Sequence, residues 1–277
     1  MAESGFSPAK AALLGAAFLF AAAGCASVGT ADSRETAVSR AAAMGFARQE
    51  IAAGPFRLAA FTRRPVAGSE TLSVYIEGDG APWVTPWHPP RDPTPVKPVA
   101  LSLAAADPAP AVVYLGRPCQ YLDKAALSQC DGAWWMERRF APEVVAAYDE
   151  AVARLKSDFG ARRIRLFGHS GGGVVAALVA FRRMDVERLV TVAAPLALTE
   201  WTAWHDIAPL AGSLDPAGQT GSLPPGVHWA GGRDGVVPPA VVERFVKAKG
   251  GRMAVAPDYD HECCWARDWA RLLEESK

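Results

Sequence analysis

The run Arg163-Ile164-Arg165-Leu166-Phe167-Gly168-His169-Ser170-Gly171-Gly172-Gly173-Val174-Val175 constrains this chain more than any other. A short apolar, β-branched segment ends in a Gly-x-Ser-x-Gly cluster, and an Ala/Val/Leu segment compatible with helix follows at once. The run therefore reads as strand, sharp turn, helix, with Ser170 at the tip of the turn. A serine held there takes a strained backbone, and the positions two before and two after it must be nearly free of side chain to avoid collision. Gly168 and Gly172 meet that need.

The remaining pattern supplies the sheet that such a turn requires. Strands are expected over residues 55–62, 72–77, 111–115, 188–195, 227–230 and 252–256, and helices over 98–106, 142–159, 171–183, 240–249 and 264–275. The clearest helix opens at Pro142, carries Tyr148, Val152, Leu155 and Phe159 on one face, and ends at Gly160. The last one buries Trp265, Trp269 and Leu272. Strands alternating with helices give an α/β fold, a mostly parallel sheet covered on both faces, in a single domain over residues 55–277. Residues 196–226, with Trp201, Trp204 and His205, are irregular and too few for a large cap domain.

Two further stretches join Ser170 in a fixed order. Gly231-Gly232-Arg233-Asp234-Gly235-Val236-Val237-Pro238 follows the apolar run 227–230, and His261 follows the run 253–256. At these residues the chain resembles the alpha/beta-hydrolase superfamily, whose nucleophile turn has the form of residues 168–172 and whose chain order is serine, acid, histidine. The resemblance covers about residues 55–275 and implies a Ser170, Asp234, His261 triad. A serine hydroxyl needs an imidazole to take its proton and a carboxylate to orient that imidazole. Of the five histidines, His205 and His228 precede Asp234, His88 lies in a proline-rich loop before the nucleophile, and His169 occupies the variable position of the turn. Asp258 and Asp260 are rivals for the acid, although Asp234 has the better strand-end context. The resemblance also implies oxyanion donors at the backbone N–H groups of Gly171 and Asp79. Glu77, ahead of Gly78-Asp79-Gly80, stands where the family commonly has histidine, and its carboxylate is expected to turn away and bond local backbone.

Composition narrows the partners. Half of the 277 residues are apolar and the formal net charge is zero, so no nucleic-acid partner is expected. Residues 11–24 form an uncharged apolar run after Lys10, too short for a membrane span but suited to a signal-peptide core, and Ala22-Ala23-Gly24-Cys25 looks like a bacterial lipoprotein processing site. Residues 1–24 are thus expected to be cleaved, Cys25 to be lipidated and residues 25–54 to act as a tether. That places the domain on the bacterial envelope, at the outer membrane facing the periplasm.

Two long connections carry aromatic side chains suited to lining a substrate pocket: Trp83 and Trp87 in the first, Trp134 and Trp135 in the second. The second also holds Cys119 and Cys130, expected to pair as a disulfide in an oxidising compartment. Cys263 and Cys264 either close a strained ring together or stay buried as small apolar residues beneath the His261 loop. The expected activity is hydrolysis of a small-molecule or envelope-derived ester, with neither metal nor organic cofactor. An acyltransferase or thioesterase with the same triad, or a non-catalytic lipoprotein that keeps the fold, are the alternatives.

Overall fold

The computed structural model describes residues 33–64, 69–80 and 90–277. Among them, eight strands join in one sheet: β1 (Ala47–Ala53), β2 (Phe56–Arg63), β3 (Thr71–Ile76), β4 (Val112–Leu115), β5 (Arg163–His169), β6 (Val186–Val192), β7 (Gly226–Gly231) and β8 (Arg252–Ala256). Their order in space is β1-β2-β4-β3-β5-β6-β7-β8. From β4 to β8 every pair is parallel, while β2 runs antiparallel to both β4 and β1. Central strands covered on both faces read as continuous apolar runs, as in Val-Val-Tyr-Leu of β4.

The helices are α1 (Ser33–Ala43), α2 (Val99–Ala106), α3 (Lys124–Leu127), α4 (Pro142–Asp158), α5 (Gly171–Ala180), α6 (Leu198–Trp204), α7 (Pro239–Lys249) and α8 (Trp269–Glu275). One face of the sheet is packed by α4, α5 and α7 through Val144, Tyr148, Val174 and Val242, and it receives Ile164 and Leu166 of β5. The opposite face is packed by α1, α2 and α8 through Ala37, Leu101, Trp269 and Leu272, and it receives Phe167. There Tyr75 stacks on Phe167 with centroids 4.3 Å apart, and Trp269 meets both rings edge-on at 6.2 and 6.0 Å. Offset and edge-on aromatic pairs of this kind add roughly 0.5–1.5 kcal/mol beyond their burial.

Two expectations are corrected. Residues 33–53, expected within the tether, belong to the folded unit Asp32–Lys277, because Ala37 and Ala41 share a helical face against the sheet and β1 pairs with β2 along its whole length. The last helix begins at Trp269, five residues later than expected. Residues ahead of it are held in a turn by Asp260, whose Oδ1 accepts from the N–H groups of Glu262 and Cys263 and whose carbonyl accepts from Trp265 Nε1. Trp265 is fully buried from that turn. Residues 196–225 hold α6 and one 3-10 turn among the described residues, and no cap domain.

Parallel strands end at one edge of the sheet, and the turns after β3, β5, β7 and β8 gather there. Elements approach closely at that edge. A Cβ on Gly168 would lie 2.3 Å from the Gly172 carbonyl oxygen, and one on Gly172 would lie 2.1 Å from the Ile76 carbonyl oxygen. Backbone cannot yield as a flexible side chain does, so Gly168→Ala is expected to cost about 3 kcal/mol or more. For a domain of this size that is a fall of roughly 6–12 °C in the unfolding midpoint, measurable by calorimetry; an unchanged midpoint would contradict the packing described.

Candidate active site

The Ser170 turn has the conformation that its glycines permit. Ser170 sits at φ 52°, ψ −128°, a left-handed backbone that costs a non-glycine residue on the order of 1–3 kcal/mol. The surroundings hold it there: Ser170 N–H donates to the Val192 carbonyl at 2.9 Å, and Gly173 N–H donates to the Ser170 carbonyl at 2.9 Å. Gly78 lies alongside, since a Cβ on it would come within 3.2 Å of Ser170 Cβ. The hydroxyl is thereby projected from the carboxyl edge of β5 at the start of α5.

Asp234 and His261 arrive from the turns after β7 and β8. His261 Nε2 lies 3.0 Å from Ser170 Oγ and its Nδ1 lies 2.9 Å from Asp234 Oδ2. The carboxylate is fully buried, and its other oxygen accepts the backbone N–H groups of Val236 and Val237, both at 2.8 Å. Three N–H groups thus converge on Asp234 and fix the orientation of its carboxylate. The imidazole remains partly exposed beside it. A hydroxyl, an imidazole and a buried carboxylate in this chain can move a proton off the hydroxyl and stabilise the cation that results.

His169 adds a contact that sequence reasoning passes over. Burial, and then the neighbouring His261 imidazole, push it down to about 3, so it is neutral. A carbonyl only accepts, so Nε2 carries the proton and donates to the His261 carbonyl at 2.8 Å. The residue at the variable position of the turn therefore ties the histidine loop to the serine turn.

Glu77 and Asp79 diverge from the loop after β3. Glu77 is buried, accepts from Gly78 N–H at 2.8 Å and from Tyr114 Oη at 3.0 Å, and is pushed up to about 7 by burial against those bonds. Its carboxylate thus turns into the protein. Asp79 points the other way. Its Oδ1 meets Arg117 Nη1 at 2.9 Å and its Oδ2 meets Arg139 Nη1 at 2.8 Å. Desolvation works to raise the Asp79 carboxyl, but Arg139 and Arg117 outweigh it and hold it below the ordinary carboxylate range. A Cβ on Gly171 would stand 2.0 Å from Asp79 Oδ1, so the carboxylate rests on the first turn of α5.

No family model matches the sequence. No curated protein matches it either. Solved structures do. An alpha-beta serine hydrolase homologue from Coxiella burnetii superposes with a TM-score of 0.52 over 83% of this chain and 94% of that one, at 16% identity. The Pyrococcus furiosus esterase Pf2001 gives 0.58 over 83% and 90% at 14% identity, and Est1E from Butyrivibrio proteoclasticus gives 0.57 over 82% and 96% at 14% identity. The chain has the alpha/beta-hydrolase fold.

Within the alpha/beta-hydrolase fold, the other residues singled out from the sequence have these positions. Cys25, Trp83 and Trp87 lie outside the described residues. Trp134 is not brought to the serine turn by any contact described: its ring meets Phe56 edge-on at 5.0 Å and carries the Arg138 guanidinium at 4.3 Å, which is packing beside the start of β2. Trp135 is buried and donates from Nε1 to the Pro90 carbonyl at 3.1 Å. The Cα atoms of Cys119 and Cys130 are 6.2 Å apart, within disulfide reach. Cys263 is exposed and Cys264 half-buried, so neither is sealed beneath the histidine loop. Arg117 and Arg139 had no signal in the sequence, because arginines in a long irregular connection look like solvated surface.

Proposed function

We propose that the protein is a serine hydrolase that cleaves a carboxylic ester through an acyl-enzyme on Ser170. The observation that carries this reading is the continuous chain Ser170 Oγ, His261 Nε2, His261 Nδ1, Asp234 Oδ2, with links of 3.0 and 2.9 Å. Ser170 Oγ attacks the ester carbonyl carbon while His261 Nε2 takes its proton. The carbonyl oxygen becomes an oxyanion received by the backbone N–H groups of Gly171 and Asp79, the first of them at the positive end of α5. The tetrahedral intermediate collapses, the alcohol leaves with the proton from His261, and a water activated by the same imidazole releases the acid. No metal or organic cofactor takes part.

The structural similarity to the Pyrococcus furiosus esterase supports ester over amide as the substrate bond, and the pairing of Cys119 with Cys130 is proposed for an oxidising compartment. A fluorophosphonate probe tests the central claim, because it phosphonylates only a serine activated in this way. Folded wild-type protein is expected to gain one probe at Ser170, and Ser170→Ala to gain none. Absence of adduct on the wild type would leave the fold as a binding module.

A further inference from the structure

We propose that Asp79, Arg117 and Arg139 are positioning residues that clamp the oxyanion loop onto the nucleophile turn. The inference rests on the serine-hydrolase reading and adds to it a device that places one donor. Asp79 N–H stands between Gly78 and Gly80, and Gly80 has a left-handed φ of 96°. A glycine-flanked donor has wide conformational freedom unless something else restrains it. Two restraints are present. Buried Gln120 donates from Nε2 to the Gly78 carbonyl at 3.1 Å, and each oxygen of the Asp79 carboxylate has its own guanidinium, at 2.9 Å from Arg117 and 2.8 Å from Arg139.

Both arginines are themselves fixed. Arg117 leaves β4 with its side chain 3% exposed; its N–H donates to Gln120 Oε1 at 2.9 Å, its Nη2 to the Arg139 carbonyl, and its guanidinium lies over the Phe140 ring at 5.1 Å. Arg139 sits just ahead of α4, 12% exposed, and donates from Nε to the Met136 carbonyl. A buried ion pair is weak evidence for stability, since apolar residues of similar volume usually do as well. Arg117 even leaves its buried Nε without an acceptor among the described residues. Its guanidinium is therefore oriented for Asp79 and the Arg139 carbonyl at the expense of its own hydrogen bonding.

The carboxylate rests where a Gly171 side chain would be, and Arg117 Nη1 is 3.0 Å from that same Cβ position. An uncompensated anion beside a developing oxyanion would oppose the reaction; two guanidiniums against one carboxylate give the cluster the opposite sign. The clamp thus holds the Asp79 donor in place and removes the electrostatic penalty of having an aspartate there. It also explains why the residue after the nucleophile is glycine.

A double-mutant cycle tests the clamp. Gly171→Ala keeps its N–H but drives a methyl into the Asp79 carboxylate, whereas an Asp79→Ala background removes both Asp79 atoms that the methyl meets, Oδ1 at 2.0 Å and Cγ at 2.6 Å. The rates read are fluorophosphonate labelling of Ser170 and kcat and KM on an aryl ester. Gly171→Ala alone is expected to lower labelling and kcat on the order of a hundred-fold, the scale of one lost oxyanion donor, with KM within about threefold. Added to Asp79→Ala, it should cost less than about threefold. Arg139→Gln, chosen because that side chain is the less buried of the two, is expected to lower kcat about tenfold with little change in KM, with partial rescue by Arg139→Lys. Wild type that takes no label overturns the hydrolase reading and the clamp with it. Wild type that labels, together with equal Gly171→Ala losses in both backgrounds or wild-type kcat in folded Arg139→Gln, overturns the clamp alone.

Discussion

Replacing His261 with alanine is expected to lower turnover of an activated aryl ester about a million-fold, and Ser170→Ala to do the same. The two changes together should be no worse than either alone. Residues that act as one unit lose their whole contribution when any member goes, and a loss of this size has been the outcome where a serine or histidine of such a triad is removed. His261 Nε2 is 3.0 Å from Ser170 Oγ, and no other imidazole among the described residues bonds that oxygen. His169, the nearest rival, is spent on the His261 carbonyl and is held neutral by burial. Neither side chain is part of the apolar core, so both variants should unfold within a few degrees of wild type. Steady-state assay with calorimetry decides it. Residual turnover within a hundredfold of wild type for either variant would remove that residue from the reacting group.

Much of this arrangement was legible because the relevant signals are local. The nucleophile turn needs glycines at 168 and 172, and close backbone approach is the reason: a Cβ at either position meets a carbonyl oxygen at 2.3 or 2.1 Å. Apolar runs mark strands that are buried on both faces, so Val112–Leu115 of β4 and the Leu166-Phe167 end of β5 stand out. The start of the folded unit did not. Ala37 and Ala41 face the core of α1, but alanine carries so little apolar surface that the helix has no visible stripe, and β1 alternates only weakly before Ile51 and Ala53. The start of α8 was hidden for a different reason. Trp265 lies at helical spacing from Trp269 and Leu272, yet the Asp260 carboxylate and carbonyl draw three N–H groups into a turn, a local contact that competes with the helix.

Partners distant in sequence were the least legible part of the site. Nothing in Gly78-Asp79-Gly80 says that Arg117 and Arg139 will meet it, 38 and 60 residues away. The convergence depends on β4 lying beside β3 and on the connection after β4 folding back over the strand ends. By contrast Ser170, Asp234 and His261 are separated by more than this in two of their intervals, yet chain order in a parallel sheet determines that turns after β5, β7 and β8 share one edge. Topology makes such residues predictable where pairwise contact does not.

Asp234→Asn is expected to lower kcat about ten-thousand-fold with little change in unfolding midpoint, the loss known when the acid of such a triad becomes an amide. The reason lies in which donors surround this side chain. Oδ1 accepts two backbone N–H groups, from Val236 and Val237 at 2.8 Å, and Oδ2 faces His261 Nδ1 at 2.9 Å. An asparagine must turn its carbonyl oxygen to the two backbone donors, because the opposite flip would set its NH2 against them and leave buried groups unpaired. Its NH2 then faces Nδ1 and donates to it. The imidazole is driven into the tautomer protonated at Nε2, which points a proton at Ser170 Oγ where a lone pair is required. Nitrogen-15 chemical shifts of His261 report that exchange directly: the variant should show a protonated Nε2 and an unprotonated Nδ1, and wild type the reverse. Asp258→Asn is the control, since Asp258 is an exposed partner of Arg233 and its loss should change kcat by less than about threefold. If Asp234→Asn retained wild-type kcat, or if its His261 kept the proton on Nδ1, Asp234 would not be the group that orients the imidazole.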